Sequence, residues 1–138
     1  QLRRKAFEDL MQANGLPHYT YELELPLDRD HQLSVIRRAF DEHPEVDGVF
    51  ASNDMIAASI IYEAGIRKIS IPDDLKVIGY DGTTMVSSLM PQLTTICQPI
   101  EDIARTAIDV LLREIEGEFE EIAYQTMLPV YLRNGSTA

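Results

Sequence analysis

Apolar positions along the chain fall into alternating helical and extended patterns. Leu2, Ala6, Leu10 and Ala13 recur one to two turns apart, Phe7 and Met11 widen that face, and Asn14-Gly15 follows as a stop, which predicts a helix over 2–13. Residues 19–25 alternate aromatic or aliphatic side chains with Thr20, Glu22 and Glu24, the pattern of a half-exposed strand. Leu33, Ile36, Arg37 and Phe40 predict a second helix closed by His43-Pro44. The apolar run 46–51, bounded by Asp47-Gly48 and Ser52-Asn53-Asp54, reads as a buried strand, and it leads into a helix over 55–64 that is apolar almost all round and ends at Gly65. Residues 75–80 repeat the arrangement, an apolar strand entering Asp81-Gly82, and 94–97 form a fourth short strand. Ile100, Ile103, Ala104, Ala107, Ile108, Leu111, Leu112 and Ile115 then trace one long helical face stopped at Gly117. The loop 117–121 precedes a last strand over 124–132, which Pro129 confines to an edge.

Strands alternating with helices at this spacing imply βαβ units, and the expected fold class is α/β with an open, mostly parallel sheet flanked by helices. At 138 residues the chain fits one ordinary domain. It starts at Gln1, inside the first helical pattern, and is expected to be a fragment of a longer protein. No apolar run approaches the roughly 18 residues a membrane span needs, and no basic-apolar-small leader pattern opens the chain. With 23 acidic and 12 basic residues the net charge is -11, which repels a phosphate backbone on average. The short basic clusters Arg3-Arg4-Lys5, Arg37-Arg38 and Arg67-Lys68 read mostly as solvated helix faces, so this chain is not expected to bind DNA by itself. Cys97 is the only cysteine, which excludes an internal disulfide and suits a buried, inert thiol.

In an open α/β sheet ligands bind beyond the carboxyl ends of the strands. Two strands deliver polar side chains there: Asn53-Asp54 after 46–51, and Asp81 after 75–80. A carboxylate accepts from two neighbouring hydroxyls, while an amide accepts from one and donates to another, which is what a carbohydrate requires. Two roles stay open at these positions. Ser52, Asn53 or Asp54 could cap the following helix, and Asp81-Gly82 could be a simple turn. Nucleotide, phosphate-loop, hydrolase-elbow and zinc-protease motifs are all missing, and His18, His31 and His43 show no paired metal-ligand spacing. Asp73-Asp74 follows Pro72 in a turn, which suits a loop better than acid-base chemistry. An enzyme, a metal site or a cofactor is therefore not expected.

Three segments, in this order and spacing, resemble the effector-binding domain of LacI/GalR transcription regulators: Asp47-Gly48-Val49-Phe50-Ala51-Ser52-Asn53-Asp54-Met55-Ile56-Ala57, Ile71-Pro72-Asp73-Asp74-Leu75-Lys76-Val77-Ile78-Gly79-Tyr80-Asp81, and Pro91-Gln92-Leu93-Thr94-Thr95-Ile96-Cys97-Gln98-Pro99-Ile100. The likeness extends from about Arg3 to Thr137. It implies a type I fold like the periplasmic sugar-binding proteins, two α/β lobes hinged over a ligand cleft. It also implies a preceding helix-turn-helix domain that binds operator DNA as a homodimer in the cytoplasm. On that frame residues 1–98 are the C-terminal lobe, 99–117 the crossover helix toward the other lobe, and 118–138 the returning strand and tail. The DNA-binding domain is expected to lie outside this chain.

The resemblance carries over to ligand contacts one at a time. Arg3 stands where the family has the Arg of its R-x-x-G-aromatic pattern, here Arg3-Arg4-Lys5-Ala6-Phe7 with Ala6 in place of Gly. Asn53 matches the Asn of the N-D motif, Asp81 the Asp after G-[YF], and Gln98 a Gln at the lobe crossover. Asp54 is left to helix capping. Leu27 stands where many relatives place an aromatic that stacks on the ligand ring. Gly82-Thr83 is similar to sucrose- and ribose-type regulators. The implied partner is a sugar or sugar phosphate, and dimerisation is expected around Leu89-Met90-Pro91. Two rival readings are a transport-associated sugar-binding protein and a regulator whose effector is a partner protein, such as a phosphocarrier.

Overall fold

A computed structural model describes residues 2–23, 28–117 and 126–138. Helix α1 spans Leu2–Ala13 and α2 spans Arg29–Glu42. Strand β1 (Gly48–Phe50) leads into α3 (Asp54–Arg67), and β2 (Lys76–Asp81) into a 3-10 turn over Thr84–Ser88. Strand β3 (Thr94–Cys97) is followed by α4 (Ile100–Glu116) and β4 (Tyr131–Arg133). The four strands line up in the order β1-β2-β3-β4. The first three are parallel, and β4 closes the edge antiparallel to β3, with Cys97 opposite Tyr131 and Thr95 opposite Arg133. The expected open, mostly parallel α/β sheet is what the chain forms.

The core lies between the sheet and the α2–α3 layer. Ala57, Ile60, Ile61 and Ala64 recur at helical spacing on α3 and are buried against Leu75, Val77 and Leu93, with Ile36 of α2 at the margin. Glu63 ties the two helices together. Its carboxylate is buried yet accepts from Arg37 and Arg67 at 3.1 Å each, and Arg67 reaches Asp41 at 2.7 Å. Arg37 and Arg67 are therefore not purely solvated, because a buried carboxylate requires cationic partners. The Asp41 carboxylate holds the Arg67 guanidinium above its ordinary value.

Four expectations from the sequence are corrected. Residues 19–23 form no strand; Tyr19 instead stacks on His43 at 3.4 Å and donates to Glu45 at 3.0 Å, while Tyr21 donates to Glu42 at 2.5 Å. Alternation there serves aromatic packing onto the end of α2 rather than pairing, and burial beside Glu42 pushes the Tyr21 phenol up to about 12. Among the described strands β1 has only β2 beside it, and its Gly48 and Phe50 are exposed. Gly65 does not end α3; the helix continues to Arg67, and Lys68, at φ 61, donates its N–H back to Ala64 and Gly65. The Glu63–Arg67 pair spans that last turn and offsets part of the roughly 1 kcal/mol cost of a helical glycine. The last strand begins only at Tyr131, two residues past Pro129; residues 24–25, Leu27, the loop 118–121 and residues 124–125 lie outside the described segments.

Helix α4 buries none of its residues: Ile103, Ile108, Leu111 and Leu112 are exposed, and Ile115 is 73% so. Its apolar stripe does not fold back on the described sheet. No helix among the described residues is long and apolar enough to cross a membrane.

The amino ends of the strands are closed by the C-terminal tail. Thr137 is fully buried; its hydroxyl donates to the Val77 carbonyl at 2.6 Å and accepts from the Thr94 N–H at 2.9 Å, while its own carbonyl accepts from Val77 at 2.7 Å. Gly135 permits this approach, since a Cβ there would lie 2.2 Å from the Gln92 carbonyl oxygen. Thr137→Val keeps the shape but orphans the Thr94 N–H, and is expected to lower unfolding free energy by roughly 1–3 kcal/mol in urea titration.

Candidate functional site

The opposite edge, at the carboxyl ends of the parallel strands, is where polar side chains converge. Chain leaving β1 passes Ser52 and turns at Asn53, whose extended backbone (φ -155) lets Oδ1 accept the Ile56 N–H at 2.8 Å. Asn53 is therefore the N-cap of α3, and its amide nitrogen takes no part in the cap.

Strand β2 ends in a constrained turn. Asp81 has φ 115, a value L residues rarely adopt, and Gly82 follows at φ 73. A Cβ on Gly82 would fall 2.4 Å from the Cys97 sulfur, so this glycine meets both a conformational and a steric demand. Cys97 itself is buried beneath the turn. Gln98 then grips Asp81 twice: its Nε2 donates to the Asp81 carboxylate at 2.7 Å and its backbone N–H to the Asp81 carbonyl at 3.2 Å.

Arg3 reaches the same edge from α1. Its guanidinium lies 4.0 Å from the centre of the Tyr80 ring, and Nη1 donates to the Ser52 carbonyl at 2.9 Å. One stacked face and one hydrogen bond orient a side chain that is otherwise solvated, and such a contact contributes about 0.5–1 kcal/mol at an exposed site. The four sequence-predicted residues Arg3, Asn53, Asp81 and Gln98 are thus placed along one strand-end edge. Leu27 lies outside the described residues.

Asp54 behaves differently from its expected capping role. Only 1% exposed, its carboxylate accepts the Thr95 hydroxyl at 2.5 Å, the Thr83 N–H at 2.7 Å and the Thr83 hydroxyl at 3.1 Å. Capping falls to Asn53 because that residue has the extended backbone a cap needs, while Asp54 already lies in the helix. Sequence reasoning missed Thr83 and Thr95 as partners. A signal was present in Gly79: a lone glycine inside a strand marks a close approach, and a Cβ there would lie 2.5 Å from Asp54 Oδ1. Elsewhere, no group of three His, Cys, Asp or Glu among the described residues could hold a metal ion.

Residues 1–137 match the family model described as a periplasmic binding protein-like domain. The chain belongs to that family. It is 38% identical to the sucrose operon repressor of Streptococcus mutans over 99% of this chain and 40% of that protein. In structure it is similar to a LacI family transcriptional regulator from Arthrobacter sp. FB24 in complex with lactose, with a TM-score of 0.89 and 25% identity over 99% of this chain and 50% of that one. A LacI family regulator from Enterococcus faecium with bound ribose gives a TM-score of 0.81 at 28% identity over 98% of this chain and 50% of that one. These relatives are transcription regulators rather than enzymes, so the LacI-type resemblance holds for this periplasmic-binding-protein-like chain. The chain spans about 40% of the length of the sucrose operon repressor.

The cap and the amide at Asn53 can be separated. Asn53→Ala is expected to cost about 1 kcal/mol of stability, whereas Asn53→Asp keeps a good cap and should stay within about 0.5 kcal/mol of the parent by thermal melting.

Proposed function

We propose that this chain is the effector-sensing module of a LacI-type repressor, with a sugar or sugar phosphate held at the carboxyl ends of β1, β2 and β3. The observation that carries this reading is the convergence of Arg3, Asn53, Asp81 and Gln98 on one edge of a fold similar to sugar-bound regulators. Asp81 offers a carboxylate for ligand hydroxyls, Asn53 an amide donor, and Arg3 the guanidinium N–H groups outside its bond to Ser52. Gln98 completes the set beside Asp81. A site built to hydrogen-bond hydroxyls rejects ligands that lack them, because polar groups covered by such a ligand would be left unpaired.

Residues 1–98 serve as the C-terminal lobe, 99–117 as the crossover helix, and 118–138 as the returning strand and tail. The exposed stripe of α4 then covers part of a second lobe, and the ligand lies between the two. A ligand touching both lobes favours one interlobe angle only by its differential affinity for the two states, and that angle sets the spacing of the DNA-binding heads. Operator DNA is contacted through a separate helix-turn-helix domain, which accords with the net charge of -11 carried here. The working compartment is the cytoplasm, where the operator is.

A homodimer forms through the outer face of α3 and the neighbouring turn. Met55, Tyr62 and Ile66 lie on one helical face, each more than half exposed, and Met90 is 91% exposed. Apolar side chains grouped this way mark an interaction surface.

Two measurements test these readings. In the intact regulator, a thermal-shift panel of sucrose, ribose, lactose, cellobiose and their phosphates should find one compound that adds about 2.7 kcal/mol at 100 times its dissociation constant. Asp81→Ala should abolish that shift and the effector response while leaving operator binding in place. A flat panel would favour a protein effector such as a phosphocarrier instead. For the dimer, Tyr62→Asp with Met90→Asp should convert the protein to monomer in sedimentation velocity, and an unchanged dimer would move the interface elsewhere.

A further inference from the structure

We infer that Asp54 is a positioning residue for the effector site: its buried carboxylate holds the 81–83 turn in the conformation that presents Asp81 to ligand. This inference rests on the reading of Asp81 as a ligand contact. Three observations carry it. First, the carboxylate joins three elements, with α3 supplying Asp54, β3 supplying the Thr95 hydroxyl, and the turn after β2 supplying the N–H and hydroxyl of Thr83. Second, Gly79 leaves open the space the carboxylate fills, so β2 is built around it. Third, the turn it holds needs holding, because Asp81 has φ 115 and cannot rest there without outside support.

Asp54 is tied to Thr83, two residues past Asp81, and from the other side Arg133 Nη2 on β4 donates to the Thr83 carbonyl at 3.4 Å. The Thr83 backbone is thus gripped at both its N–H and its carbonyl. With Thr83 fixed behind it and the two Gln98 bonds ahead, the Asp81 carboxylate has one direction to point. If Thr83 is released, the turn can relax toward ordinary φ values and the Gln98–Asp81 pair separates. A device that only stabilised the fold would not act on that pair.

The experiment reads the Gln98 side-chain amide by proton–nitrogen NMR in the intact protein without ligand, with Gln98→Ala to assign its two signals. In the parent the amide held by Asp81 should give two dispersed resonances with slowed exchange. Asp54→Asn and Thr95→Val should each collapse that dispersion, and Thr95→Ser, which keeps the hydroxyl, should restore it. Thr137→Val, at the far end of the strands, is the control for lost stability alone and should leave the Gln98 signals in place. If Asp54→Asn does not fold, Thr95→Val carries the test. Unchanged Gln98 signals in a folded Asp54→Asn or Thr95→Val protein would overturn the proposal. With sucrose, ribose, lactose and cellobiose as probes, Thr95→Val should weaken whichever one binds by roughly tenfold, as expected for one lost hydrogen bond to a charged group. If the Gln98 signals collapse as expected but Asp81→Ala binds the probe as well as the parent, the positioning role stands and the site assignment fails.

Discussion

A carboxylate removed from water must be given donors, and the arrangement around Asp54 follows from that demand. Taking an ionised group into the interior costs several kcal/mol unless hydrogen bonds replace its hydration. Here they come from the hydroxyl of Thr95 on a strand and from both the hydroxyl and the N–H of Thr83 in a turn. The carboxylate cannot be satisfied until β2, β3 and α3 are in register, so satisfying it fixes how they meet. Gly79 gives way beneath it, and the turn at 81–83 is drawn over it. Asp81 and Gln98, which the proposed function places against a sugar, stand on that turn and on the strand end beside it.

The two ends of the parallel strands are finished in opposite ways. At the amino ends the tail threads back until Thr137 is buried between β2 and β3, and the backbone groups of Val77 and Thr94 find partners there. At the carboxyl ends Asn53, Asp81 and Gln98 are half-buried and Arg3 is exposed. Asp81 and Gln98 pair with each other, and Arg3 leans on Tyr80. Side chains already ordered by such contacts lose little entropy when a ligand arrives. The Glu63 network between α2 and α3 lies outside this edge and serves the packing of the two helices.

Helix α4 shows the same logic from its other side. Its apolar stripe is regular over four turns, yet none of it is buried. The energy of covering such a stripe, about 25 cal/mol for each Å2 of apolar surface, is left unspent by the described residues. Gly117 ends the helix in the left-handed conformation, donating its N–H back to Arg113 and Glu114.

Much of the fold was legible in the sequence. The 3.6-residue stripes of α1, α2 and α4, the apolar run of β2, the short strand β3 and the stop at Gly117 are properties of local spacing, and the chain itself determined them. The resemblance to LacI-type regulators added the family, and it named Arg3, Asn53, Asp81 and Gln98, which the fold sets along one edge. Local spacing could not tell a strand from an aromatic clasp at Tyr19 and Tyr21, because both use alternate residues. Nor could it give the order of the strands, because that order is settled by which neighbours pair. Which of Asn53 and Asp54 caps α3 was decided by backbone angle, and what Asp54 does instead was decided by Thr83 and Thr95, 29 and 41 residues away. Donors that distant in sequence reach one carboxylate only after the sheet has formed, so only the tertiary structure could assign them.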